Sequence, residues 1–142
     1  MKIREILRQK GHEIVTIAAD RSVVDAVKAL VHHDIGSLLV MKGDAFVGIV
    51  TERDVLRLTA ESAPLGTITV GSVMSRELIV AAPEDDLHAC MTVMTENRVR
   101  HLPVMEGRRL VGIVSIGDLV NACRIVAENE NVQLRHYIHG GG

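Results

Sequence analysis

The chain has 142 residues, 47% of them hydrophobic, and a formal net charge of −2, which suits one compact domain or two small repeats sharing a core. Phe46 and Tyr137 are its aromatics, so the core is aliphatic; without aromatic faces for base stacking or clustered Lys and Arg for a polyanion, nucleic acid is excluded as a partner. Charge in Met1-Lys2-Ile3-Arg4-Glu5 where a signal peptide is apolar, and the lack of any apolar run of bilayer length, lead us to expect a cytoplasmic protein with no membrane partner.

In chain order, an extended piece at Ile14–Ile17 comes first. Ser22 stands as an N-cap before Val23, Ala26, Val27, Leu30 and Val31, whose spacing is that of an amphipathic helix. A β-branched strand at Ile35–Met41, a turn at Lys42-Gly43-Asp44 and a strand at Phe46–Val50 follow, and a second helix begins near Glu52. Ala63-Pro64-Leu65-Gly66 marks a linker. The series then recurs: extended Leu78–Ala81, a cap at Asp86, apolar Leu87, Cys90, Met91 and Met94, and a strand at Val99–Met105. Its turn is Glu106-Gly107-Arg108, its second strand Leu110–Val114, and its second helix starts near Ile116. The tail, Asn121–His139, has helical composition, with Ile125, Val126, Val132, Leu134 and Ile138 partly in register. We expect it to pack on its own domain or, preferably, on a second copy about a two-fold axis.

Laying Ile14–Thr59 over Leu78–Cys123 needs no gap, at an offset of 64 (78 − 14). Ala18, Leu38, Val40, Met41, Gly43, Val47, Gly48, Ile49, Val50 and Asp54 meet identical residues at Ala82, Leu102, Val104, Met105, Gly107, Val111, Gly112, Ile113, Val114 and Asp118. The motif is therefore written twice. The expected fold class is α/β (α+β): two β-α-β-β-α repeats packed sheet to sheet with pseudo-two-fold symmetry, because neither alone buries both faces of its sheet. The first repeat with its N-terminal extension takes 1–61, a linker 62–71, the second repeat 72–124 and a helical tail 125–142.

The sharpest repeated string is GIVTERD at 48–54, answered by GIVSIGD at 112–118. Gly at a strand end admits a ligand or another backbone. The hydroxyl and carboxylate then fall three apart at a helix start. Taken alone, this pattern is a capping box, which needs no ligand. Two features point further: both copies use the shorter Asp where Glu or Gln is usual, and both keep the Gly. A helix N-terminus with a hydroxyl is an anion site, while the carboxylate suits a sugar diol; together they describe a nucleotide.

With GIVTERD, GIVSIGD and RVRHLPV at 98–104, the duplicated unit resembles a tandem pair of CBS (cystathionine β-synthase) domains over about Gly11 to Cys123, closest to small stand-alone bacterial CBS-pair proteins. The resemblance implies a disc-like Bateman module that binds adenine nucleotide between its repeats, often as a homodimer. In the site it implies first, Asp118 is the ribose carboxylate, Ser115 lies near ribose and phosphate, and Arg100 and His101 contact phosphate. Ile35 and Gly36 line the base, and Val15, with backbone near Lys10 and His12, completes the pocket. The second implied site uses Asp54, Thr51, Ile79, Val99 and Arg53, and departs from the family pattern where Gly36-Ser37 replaces Arg100-His101. The Asp118 site is thus expected to be the better binder.

Several features read as ordinary. Strand alternation lets only one of Arg100 and His101 face a cleft, and Arg98 and Arg108-Arg109 are surface charges. Cys90 and Cys123 form no framework and read as small buried thiols of a reducing compartment. The seven histidines include His32-His33, on different faces of a helix, and His136 with His139, i and i+3, without a further ligand; no metal is expected. No GxSxG, HExxH, P-loop or Cys-His-acid set is present, so no enzyme is expected. The leading reading is a regulatory sensor of adenine nucleotide (AMP first, then ATP, ADP or NAD) that signals to an unidentified effector protein. Its alternatives are a dimerisation module with decayed sites and, third, an enzyme.

Overall fold

The computed structural model describes residues 1–11 and 13–140, with side chains as far as Asn131. His12 and the side chains of Val132, Leu134, Ile138, His136 and His139 lie outside the described residues. Eleven elements follow in order: α1 (Ile3–Lys10), β1 (Thr16–Ala18), α2 (Val23–His33), β2 (Ser37–Lys42), β3 (Ala45–Thr51), α3 (Glu52–Ala60), α4 (Val70–Val73), α5 (Leu87–Asn97), β4 (His101–Glu106), β5 (Arg109–Ser115) and α6 (Ile116–Gly140).

The chain divides into two compact units. One comprises 13–79 and holds the first repeat. The other joins 80–142, with the second repeat, to 1–12. The N-terminal segment therefore folds onto the second repeat rather than the first. Ile3, Ile6 and Leu7 are the buried residues of α1, and their i, i+3, i+4 spacing makes it an amphipathic helix.

The two units are completed by equivalent lead-in segments. In the first-repeat unit, the Val23 N–H donates to the Ile68 carbonyl, Thr69 bridges Ser22, and the Val70 and Gly71 N–H groups donate to Arg21 and Ala19. In the other unit, Leu87 donates to Met1, Lys2 bridges Asp86, and Ile3 and Arg4 donate to Asp85 and Pro83. Acceptors and donors on the repeats keep the offset of 64, but the lead-ins are offset by 67 (68 − 1). The difference of three residues is one extra helical turn, Arg8–Lys10, at the end of α1.

Within the first-repeat unit, β1 pairs parallel with β2, and β2 antiparallel with β3, in the order β1-β2-β3. The other unit has β4 antiparallel to β5 in the same register, including the irregularity, which falls between Val40 and Met41 and again between Val104 and Met105. The counterpart of β1 shrinks to one bridge, Ala81 with Val104. Proline is the reason. Leu39 N–H donates to the Val15 carbonyl and Ala19 N–H to Met41; their equivalents are Pro103 and Pro83, which have no N–H. Only the Ala81–Pro103 and Met105–Ala81 bonds survive. Within Leu78–Ala81, bridge pairing is thus confined to Ala81.

Ser22 caps α2 through the Asp25 N–H, and Asp86 caps α5 through the His88 and Ala89 N–H groups, as the sequence leads one to expect. Both helices end in a left-handed residue, Asp34 or Arg98. The core of the first-repeat unit is Ile17, Ala26, Leu30, Leu38, Val40, Val50 and Val70. The equivalent positions in the other unit, Ala81, Cys90, Met94, Leu102, Val104, Val114 and Ile3, are buried as well. The larger Ile3 stands where the first unit has Val70, and the smaller Ala81 where it has Ile17. α6 runs unbroken from Ile116 into the tail.

Candidate functional site

Each unit presents a strand that ends in a helix, β3 into α3 and β5 into α6. At the first junction Thr51 N–H donates to Asp54 Oδ2 at 2.8 Å, and Asp54 N–H donates to Thr51 Oγ1 at 3.3 Å. At the second, Ser115 N–H donates to Asp118 Oδ2 at 2.8 Å and Asp118 N–H to Ser115 Oγ at 3.1 Å. Both are capping boxes. The shortness of Asp, which pointed away from capping in the sequence, does not prevent the box from closing. The capping role is real in both copies, and it engages Oδ2 of each carboxylate.

The segment before the first strand of each pair closes against the same helix start. Glu52 N–H donates to the Gly36 carbonyl at 3.0 Å, and Ile116 N–H to the Arg100 carbonyl at 2.8 Å. Arg100 is exposed and sits directly beside the start of α6, while half-buried His101 opens β4 opposite Ser115. Ser115, Asp118, Arg100 and His101 belong to one unit, together with Val99, which the family resemblance assigns to the Asp54 site. Thr51, Arg53, Asp54 and Ile79 belong to the other unit, and so do Ile35, Gly36 and Val15, which the resemblance assigns to the Asp118 site. Arg53 is exposed on the first turn of α3, and Val15 and Ile35 pack against the core.

The glycines of the motif do other work than ligand approach. A Cβ on Gly112 would lie 2.7 Å from Leu7 Cδ2, and one on Gly48 would lie 2.5 Å from Met74 Sδ and 2.9 Å from the Ser75 carbonyl oxygen. Leu7 and Met74 are equivalent under the offset of 67 (74 − 7). Both glycines make room for the lead-in segment of their own unit, so the close approach read from the sequence is an approach by the chain itself.

One contact has no precursor in the sequence reading. Lys10, singled out for its backbone, places its ammonium 2.7 Å from Asp118 Oδ2 and 2.9 Å from the Ile113 carbonyl oxygen. The residues of that ion pair are 108 apart in sequence, so no local pattern could have announced it. Burial pushes the Asp118 carboxyl upward, but hydrogen bonds from Lys10 and Ser115 outweigh it and hold the group below its ordinary range. Asp118 is therefore ionised at neutral pH, and its Oδ1 takes no hydrogen bond among the described residues. Asp54 has instead Thr51 Oγ1 at 3.1 Å and, at 4.0 Å, the exposed guanidinium of Arg57.

Among the described residues no group of three or more His, Cys, Asp or Glu could hold a metal ion, and no helix is long and apolar enough to cross a membrane.

A model of the CBS domain matches residues 3–61 and 70–125. A mitochondrial CBS domain-containing protein of Arabidopsis thaliana is 36% identical over 98% of this chain and 72% of its own length. The crystal structure of a CBS-domain containing protein from Agrobacterium tumefaciens is 33% identical, with a TM-score of 0.82 over 86% of this chain and 98% of that one. The CBS domain pair of protein MJ0100, crystallised with 5′-methylthioadenosine and S-adenosyl-L-methionine, is 25% identical, with a TM-score of 0.76 over 86% of this chain and 94% of that one.

Proposed function

We propose that this chain, which belongs to the CBS domain family, is a regulatory module that binds an adenosine-containing ligand at the start of α6 and transmits its occupancy to an effector protein. The observation that carries this reading is the ionised Asp118 at a helix N-terminus, with Ser115, Arg100 and His101 beside it. A ribose diol donates two hydrogen bonds to such a carboxylate, each charge-assisted and worth about 1.5–3 kcal/mol. Phosphate then meets the helix N-terminus, the Ser115 hydroxyl and the basic pair. Adenine nucleotide, with AMP first and ATP, ADP or NAD next, fits these groups. The ligands of the MJ0100 pair carry the same adenosine, which supports the class. The corresponding site at Asp54 and Thr51 has Gly36-Ser37 where the first has Arg100-His101, and we propose that it is the weaker for phosphate.

Isothermal titration with AMP, ATP, NAD and 5′-methylthioadenosine tests the proposal. Binding below millimolar that Asp118→Ala removes is the expected result; absence of binding by all four overturns it.

The closed capping boxes favour a second reading, in which Asp54 and Asp118 serve the helices alone and the module is a dimerisation platform. Protein purified without added ligand separates the two. Retained nucleotide absorbs near 260 nm, where a chain with one Tyr and no Trp contributes little. Leu56 and Val120, exposed and equivalent on α3 and α6, are the apolar positions we propose for a homodimer contact, which native mass spectrometry checks.

A further inference from the structure

We infer that Lys10 is the residue that makes the Asp118 site select phosphate-bearing adenosine ligands over uncharged ones, a role that rests on the reading of Asp118 as the ribose carboxylate. A bare carboxylate at a binding site repels phosphate. Among the described residues, the ion-pair partner of Asp54 is the exposed Arg57 guanidinium at 4.0 Å. At Asp118 the Lys10 ammonium lies at 2.7 Å, with side-chain exposure of only 32% for Lys10 and 24% for Asp118, where screening by water and salt is reduced.

The fold gives Lys10 this position through the extra turn of α1. In the first-repeat unit, the chain leaves α4 at Met74 and passes straight into Ser75, whose N–H donates to the Ile49 carbonyl at 2.9 Å. The equivalent carbonyl in the other unit, Ile113, accepts instead from Lys10 Nζ at 2.9 Å. A side-chain cation thus stands in for a backbone N–H. An ammonium has three protons, and among the described residues Asp118 and Ile113 accept two of them. With Arg100 and His101 at the same helix start, the second-repeat unit brings three basic side chains where the first has Met74–Ser75, Gly36 and Ser37, the cations of the first being Arg53 and Arg57, both exposed on α3.

The ammonium also competes with an uncharged ribose for Asp118, since it already occupies Oδ2. Lys10 therefore acts in two directions. It attracts a phosphate and it weakens the hold on a nucleoside that offers nothing in return.

The test compares AMP with adenosine by isothermal titration on the full chain, in wild type, Lys10→Gln, Lys10→Arg and Asp118→Ala. Wild type should prefer AMP, and Asp118→Ala should remove the site that shows the preference. Lys10→Gln should shrink the AMP-to-adenosine affinity ratio about tenfold, the scale of one charge pair a few ångströms apart at partial exposure. Lys10→Arg should keep the ratio within about threefold, because it keeps the charge. A ratio unchanged in Lys10→Gln, with binding still lost in Asp118→Ala, overturns the role of Lys10 and leaves the nucleotide site standing. An equal fall in Lys10→Arg also overturns it, since shape rather than charge would then decide. If neither ligand binds wild type at millimolar concentration, the nucleotide reading itself fails.

Discussion

Replacement of Gly112 by Ala probes how the N-terminal helix is held on the second repeat. The new Cβ would lie 2.7 Å from Leu7 Cδ2, 3.1 Å from Cδ1 and 3.4 Å from Cγ. Leu7 is only 2% exposed, so it has little room to retreat. Overpacking of this kind costs about 1–3 kcal/mol. Removing a strand Gly returns roughly 0.5–1 kcal/mol of backbone entropy, so the net loss should be about 1–2 kcal/mol. Leu7→Ala alone should cost about 2–5 kcal/mol through its cavity. In the double variant the new methyl enters the space that Leu7 vacates. The clash disappears and one buried methyl, about 0.8 kcal/mol, is regained. The pair should therefore be no less stable than Leu7→Ala alone, which makes the coupling about 1–3 kcal/mol in favour of the double variant. Urea unfolding followed by circular dichroism at 222 nm measures it, fitted so that the two compact units are free to unfold in separate steps. Costs that add to within about 0.5 kcal/mol would refute the packing of α1 on β5. Gly48→Ala should be the harsher of the two glycine replacements. Its clash includes the Ser75 carbonyl oxygen at 2.9 Å, and Ser75 is fixed by paired backbone bonds with Ile49.

Three further outcomes follow from named contacts. The Asp118 carboxyl lies below its unfolded value of about 3.9, so its stabilising contribution is complete above that pH and is lost as pH falls through the lower folded value. The stability gap between wild type and Asp118→Asn should accordingly be wide at pH 7 and narrow on acidification through the lowered folded value; a gap that stays constant would show that the ion pair and cap do not hold the carboxylate. Ser22→Ala and Asp86→Ala should each lower stability by about 1 kcal/mol through loss of the cap on α2 or α5, read as a fall of roughly 2–5 °C in Tm, whereas Ser22→Asp should restore most of it. Burial pushes the Cys90 thiol up to about 11, so it should resist alkylation at pH 8 in the native protein and react in urea, as mass spectrometry of the Cys90 peptide reports.

Much of this architecture was legible before any coordinates. The duplication, the caps at Ser22 and Asp86, the paired strands and the helix starts at Glu52 and Ile116 all depend on residues within a few positions of one another. Hydrophobic period and capping chemistry act over that range. The loss of the extended partner at Leu78–Ile79 was legible too, once Pro83 and Pro103 are set beside Ala19 and Leu39. α1 carried its own signal in Ile3, Ile6 and Leu7, a stripe too short to stand out from an N-terminal extension.

The sequence by itself determined that there are two copies, what elements each contains, and that Asp54 and Asp118 stand at equivalent helix starts. Only the tertiary structure decided which repeat the N-terminal helix completes, because an amphipathic stripe states that it must be buried and not against what. It also decided that Gly48 and Gly112 receive Met74 and Leu7, and that Lys10 reaches a carboxylate 108 residues away. The repeat alignment treats the two Asp residues as alike. The fold makes them unlike, because one added helical turn carries a cation to 2.7 Å from Asp118, whereas among the described residues the cation paired with Asp54 is the exposed Arg57 at 4.0 Å.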